Sequence, residues 1–114
     1  MPYINTTATK TISKEQISAL TREYGKAIEL IPGKTEAWLM LAFNGEAKMA
    51  FRGKTDGDFC MVEVELFGKA DRKPLNDLTA KICEIIEKIL GISGDNVYVK
   101  YEAIDTWGYD GSNL

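Results

Sequence analysis

A proline stands second in the chain, directly behind Met1. A small second residue permits removal of the initiator methionine, and Pro2 would then carry a free secondary amine. An unperturbed α-amino group titrates at about 7.7–8.0. Burial in an apolar pocket disfavours its charged form, and a nearby lysine disfavours it further. Both effects would make Pro2 a neutral base at physiological pH, able to take a proton from a carbon acid. With Met1 attached, the same nitrogen is an amide and cannot act this way. The chain has no histidine, which excludes Ser-His-Asp and Cys-His catalysis and every histidine metal site. The amine of Pro2 is the most natural near-neutral base that remains.

Two further groups suit such chemistry. Lys34 follows Pro32-Gly33, and a cation there can bind a substrate carboxylate and stabilise enolate charge. Tyr98 and Lys100 lie two apart on a predicted strand, so they share a face and could present a phenol and a cation to one pocket. Each residue also has an ordinary reading. A proline at position two is often a processing feature, Lys34 could be a solvated loop lysine, and Tyr98 and Lys100 could lie on a partly exposed strand. Cys60 and Cys83 sit in apolar runs without a CxxC spacing, and read as buried reduced thiols. No metal-ligand cluster remains, and no cofactor is expected.

The elements that must position these residues follow from periodicity. Residues 2–9 read as a strand. A helix is expected over 14–30, with Ser13 and Gln16 forming a capping box. Ile17, Leu20, Tyr24, Ala27, Ile28 and Ile31 lie on one of its faces, and Pro32-Gly33 stops it. Strands are expected over 37–43 and 59–67, with a short extended piece at 47–51. The second helix spans 72–90, with Asp71 as N-cap and Gly91 as a left-handed cap onto which Ile92 packs. The last main strand is 97–103. The order is β-α-β twice. The right-handed crossover rule places both helices on one face of one sheet, with parallel strands within each unit. The strand around 37–43 is apolar on both sides: Leu39, Leu41 and Phe43 on one, Trp38, Met40 and Ala42 on the other. A large apolar patch is therefore expected on the uncovered sheet face, and such a patch implies an oligomer.

The 114 residues suit one domain over 1–114, and a hydrophobic content of 45% supplies a core. A net charge of -3 is too mild for a nucleic-acid partner. The basic run Lys69–Lys73 is broken by Asp71 and reads as a solvated helix start. No apolar run approaches the ~20 residues of a membrane span. The first residues turn polar at once and do not resemble a signal peptide. The expected location is cytoplasmic, and unconventional secretion would leave no mark in the sequence.

Taken together, the motifs resemble the macrophage migration inhibitory factor family of the tautomerase superfamily. They are Met1-Pro2, Gly33-Lys34, Met49-Ala50-Phe51-Arg52-Gly53, Gly68-Lys69, Asp95-Asn96-Val97-Tyr98-Val99 and Trp107-Gly108-Tyr109-Asp110-Gly111-Ser112. The similarity spans essentially the whole chain. It implies an α+β tautomerase fold: two β-α-β units form a four-stranded mixed sheet with two helices on one face, and three copies assemble into a trimeric barrel. It also implies sites between subunits. Pro2, Lys34 and the backbone N–H of Phe67 would come from one copy. Tyr98, with lining from Trp38, Tyr109 and Leu114, would complete the pocket across the interfaces.

The implied activity is keto–enol tautomerisation of phenylpyruvate-like α-keto acids. The alternative is a cytokine-like signalling or host-modulating protein that binds a protein receptor and keeps the activity as a relic. A third reading is a catabolic isomerase or dehalogenase of the same superfamily. The sequence also departs from the family pattern. Lys100 stands where animal members usually carry asparagine, and Phe67 replaces a smaller aliphatic residue. Phe59 and Val62 occupy the places of the CxxC of some animal members. If Lys100 shares the pocket of Tyr98, dianionic keto acids should be preferred; otherwise it should face solvent or pair with an acidic neighbour such as Glu102 or Asp105.

Overall fold

The computed structural model describes residues 1–114. The chain runs β1 (Pro2–Ala8), α1 (Lys14–Ala27), β2 (Met40–Asn44), β3 (Cys60–Phe67), α2 (Arg72–Leu90) and β4 (Val97–Ile104). A C-terminal hairpin follows, made of β5 (Gly108–Tyr109) and β6 (Ser112–Asn113). The main sheet has the order β2-β1-β3-β4. Its outer pairs, β1 with β2 and β3 with β4, are parallel, and the central pair of β1 with β3 is antiparallel. This is the mixed sheet expected of two β-α-β units.

Strict alternation sets the two central strands. Ile4, Thr6 and Ala8 of β1 and Cys60, Val62, Val64 and Leu66 of β3 turn inward. They meet Leu20, Tyr24 and Ile28 from the first helical segment and Leu78, Ile82, Ile85 and Ile86 from α2 in one continuous core. Thr6 is the one buried polar residue. Its Oγ1 lies 2.8 Å from the Tyr24 hydroxyl, so each satisfies the other. Deleting either partner would leave a buried polar group unmatched, which is worth about 1–3 kcal/mol.

The helix ends follow their sequence signals. The Gln16 N–H donates to Ser13 Oγ at 3.1 Å, and the Ser13 N–H donates to Gln16 Oε1 at 2.9 Å. α1 gives way to a 3₁₀ turn over Ile28–Leu30, so the helical path reaches residue 30 in a tighter form. Asp71 occupies the N-cap of α2, although its side chain makes no capping bond. Gly91 closes α2 with φ of 69°, a conformation that residues with a Cβ resist. Ile92 is then buried. No helix is long and apolar enough to cross a membrane.

The outer face of the sheet is mixed, not continuously apolar as expected. β2 begins at Met40 because Glu36–Trp38 forms a 3₁₀ turn, which takes Trp38 off the strand. By register, the face away from the helices carries Asn5, Thr7, Glu63, Glu65, Lys100 and Glu102 interspersed with Tyr3, Met40, Ala42, Met61 and Tyr98. All four strands contribute polar residues to it, β2 through Asn44 opposite Thr7. What the sheet leaves unpartnered is its edges: the outer sides of β2 and β4 have no strand beside them. The piece at 47–51 is irregular apart from a bridge between Phe51 and Lys54.

Candidate active site

The antiparallel register places Pro2 opposite Leu66, near the C-terminal end of β3. One residue on, the Phe67 N–H donates to the Met1 carbonyl at 3.0 Å. Lys34 arrives at the same point from the turn after Gly33, whose φ is 82°. The Lys34 N–H donates to the Ile31 carbonyl at 3.1 Å, and its Nζ donates to the Phe67 carbonyl at 2.9 Å. The chain's first residues, a lysine and a backbone donor thus converge. The terminal amine, here that of Met1, is held below its ordinary pKa by burial first, and then by the charge and hydrogen bond of Lys34. Both causes are those expected for an N-terminal base.

Beside this point lies a cleft of about 660 Å³, lined in part by Pro2, Tyr3, Trp38, Met40, Glu65 and Tyr109. The C-terminal hairpin forms one wall. Asp110 and Gly111 both take positive φ, 49° and 89°, the geometry of a tight two-residue hairpin. The Leu114 N–H donates to the Trp107 carbonyl at 2.9 Å. Tyr109 meets Trp38 edge-on, with ring centres 5.3 Å apart, and Trp107 leans on Phe67 at 6.4 Å. Trp38 and Tyr109 therefore line the cleft beside the Pro2 of their own chain. Leu114 is exposed and does not line the cleft.

Tyr98 lies at the opposite end of the sheet. It pairs with Met61, five residues before Leu66 on β3, which places the two ends about 17 Å apart. Its ring meets Phe51 edge-on at 4.9 Å, and Phe51 meets Phe59 at 5.8 Å. Arg52 covers Phe51 at 4.7 Å and donates from Nη2 to the Asp95 carbonyl at 2.6 Å. Tyr98 itself is 61% exposed. Within one chain it does not reach Pro2.

Lys100 sits between the two ends and is already paired. It faces Glu63 across the β3–β4 register, with Nζ 3.2 Å from Oε2. Asn5 donates to the other oxygen of Glu63 at 3.2 Å, and Asn44 donates to Asn5 Oδ1 at 2.8 Å. The acidic partner is thus Glu63, supplied by the neighbouring strand, and not Glu102 or Asp105. Cys60 and Cys83 are free thiols, and burial pushes Cys60 up to about 12. Glu65 also lines the cleft and was not singled out from the sequence. The signal was its position two residues before Phe67 on a strand of period two.

A family profile described as macrophage migration inhibitory factor (MIF) matches residues 1–114. The chain belongs to the MIF family. Among solved structures, MIF2 of Leishmania major is 27% identical, with a TM-score of 0.93, covering 100% of this chain and 97% of that one. The MIF homologue of Prochlorococcus marinus is 31% identical, with a TM-score of 0.87 and 97% of each chain covered. The MIF-like protein of Entamoeba histolytica shares the fold at 21% identity, with a TM-score of 0.86 and coverage of 99% and 98%. Comparison with curated proteins gives no match. MIF proteins belong to the tautomerase superfamily, and the two helices on a four-stranded mixed sheet are its fold. Family and fold together support a tautomerase or MIF-like function.

Proposed function

We propose that this protein is a homotrimeric keto–enol tautomerase acting on phenylpyruvate-like α-keto acids, with Pro2 as general base once Met1 is removed. The observation that carries the reading is the convergence on the N-terminus: Lys34 Nζ and the Phe67 N–H both sit where the chain begins. Loss of Met1 would free the Phe67 N–H and expose the amine of Pro2 beside Lys34. The two causes that lower the Met1 amine, burial and the Lys34 cation, would then act on Pro2.

In the ketonisation direction, the enol loses its O–H proton and the carbon next to the carbonyl gains one. The neutral Pro2 amine accepts a proton from oxygen and returns one to carbon; the reverse reaction retraces these steps. Lys34 holds the carboxylate and stabilises negative charge that develops on oxygen. The Phe67 N–H orients a polar group, and Trp38 and Tyr109 flank the ring. Tyr98 would enter from a neighbouring copy, because its own chain keeps it at the far end of the sheet.

Turnover of phenylpyruvate by wild type and Pro2→Gly tests the reading. Removing a general base lowers the rate by about 10²–10⁴-fold. The glycine variant retains a primary amine, so a loss near the lower bound is expected. Intact mass must show Met1 absent from the active sample. Full activity with Met1 attached would exclude the amine mechanism.

A further inference from the structure

On the outer face of β3, two glutamates have different surroundings. Glu63 is held by Asn5 and by Lys100. Glu65 makes no ion pair. It is half-buried and lines the cleft that contains Pro2. Its neighbour across the β3–β4 register is Glu102, another carboxylate without an ion pair. Like charges directly opposite each other disfavour the sheet, so the fold gains nothing from this row. Glu65 also lies two residues before Phe67, on the same face and about 7 Å away along the strand. Phe67 marks the point that Lys34 reaches. The cleft therefore carries an unpaired carboxylate in its lining, and the Lys34 cation lies beside it at the Phe67 carbonyl, a separation on the scale of a ring with a short substituent.

We propose that Glu65 is a specificity-determining residue that selects keto acids by the charge of their distal end. The site favours a single carboxylate, held at Lys34, with a cationic or hydrogen-bond-donating group toward Glu65, and it disfavours a second carboxylate there. This rests on the tautomerase reading and deepens it. It also reverses the selectivity expected from Lys100, whose charge is engaged by Glu63. A half-exposed ion pair shifts affinity by up to about fivefold. The contrast between a distal cation and a distal anion is then on the order of tenfold.

The test is a substrate series: para-aminomethyl-phenylpyruvate, phenylpyruvate and para-carboxyphenylpyruvate. Wild type should show KM rising in that order, with kcat varying less. Glu65→Gln should collapse the cation-to-dianion KM ratio by about tenfold, whereas Glu65→Asp should preserve the order. Circular dichroism checks that each variant folds. An unchanged ratio in Glu65→Gln overturns the proposal while leaving the tautomerase reading standing. Trp38 and Trp107 line the cleft, so their fluorescence reports binding of the same three compounds independently of turnover. Charge-ordered binding without turnover would sink the tautomerase reading and keep Glu65 as the selector. Binding that ignores the distal charge, or no binding of any of the three, overturns the selector.

Discussion

At the Pro2 end of the sheet, a lysine, a backbone N–H and the first residues of the chain meet beside an open cleft. At the Tyr98 end, aromatic rings meet edge to face and Tyr98 is exposed. The first end holds groups that can move a proton and bind an anion but lacks the tyrosine. The second holds the tyrosine without a base. Five residues of strand separate them, and a side chain cannot span that distance. If both ends serve one reaction, separate copies of the chain must supply them. The unpartnered edges of β2 and β4 offer a route to such assembly, since an open edge is a template for pairing with another chain.

Lys34 is the sharper probe of the first end. Its positive charge disfavours the protonated amine, and so lowers the amine pKa. Base activity appears as pH rises through that pKa. Lys34→Met should therefore move the acidic limb of the kcat/KM profile to higher pH and raise KM for the carboxylate substrate. The shift should stop short of the ordinary amine value, because burial is the larger cause and persists in the variant. A limb that stays in place, or moves to lower pH, would separate Lys34 from the base.

Between the ends, Lys100→Asn should have the smallest effect. The pair with Glu63 is half-exposed on the lysine side, and such pairs contribute about 0.2–1 kcal/mol before screening by salt. Thermal denaturation should show a loss at the low end of that range. KM values for mono- and dicarboxylate keto acids should change together or not at all. A selective rise for the dicarboxylate would return Lys100 to the pocket and weaken the division of labour between Lys100 and Glu65.

The sequence revealed those parts of the molecule that rest on local patterns. The Ser13–Gln16 capping box, the Gly91 stop and the strand over 59–67 each rest on a few residues of chain, and each appears where it is expected. Grouping Pro2, Lys34 and Phe67 at one point needed the family resemblance, because they are brought together only by the β1–β3 register and the turn after α1. Other features depend on neighbours distant in sequence. β2 alone suggested an apolar outer face, but β1, β3 and β4 supply Asn5, Glu63, Glu65 and Lys100 to that face. The partner of Lys100 is set by a strand register, which residues near it cannot announce. Trp38 looked like a strand residue by alternation, yet a 3₁₀ turn of three residues carries it to the cleft instead.

Mixing subunits tests most directly whether the two ends belong to one site. Pro2→Gly and Tyr98→Ala proteins, each strongly impaired alone, would be unfolded together in equal amounts and refolded. In a cyclic trimer with sites shared between neighbours, a site is intact when one chain supplies Pro2 and the next supplies Tyr98. Random assembly makes about a quarter of the sites intact, so activity should return to about a quarter of wild type. Activity no greater than the average of the two separate variants would contradict a site shared between chains.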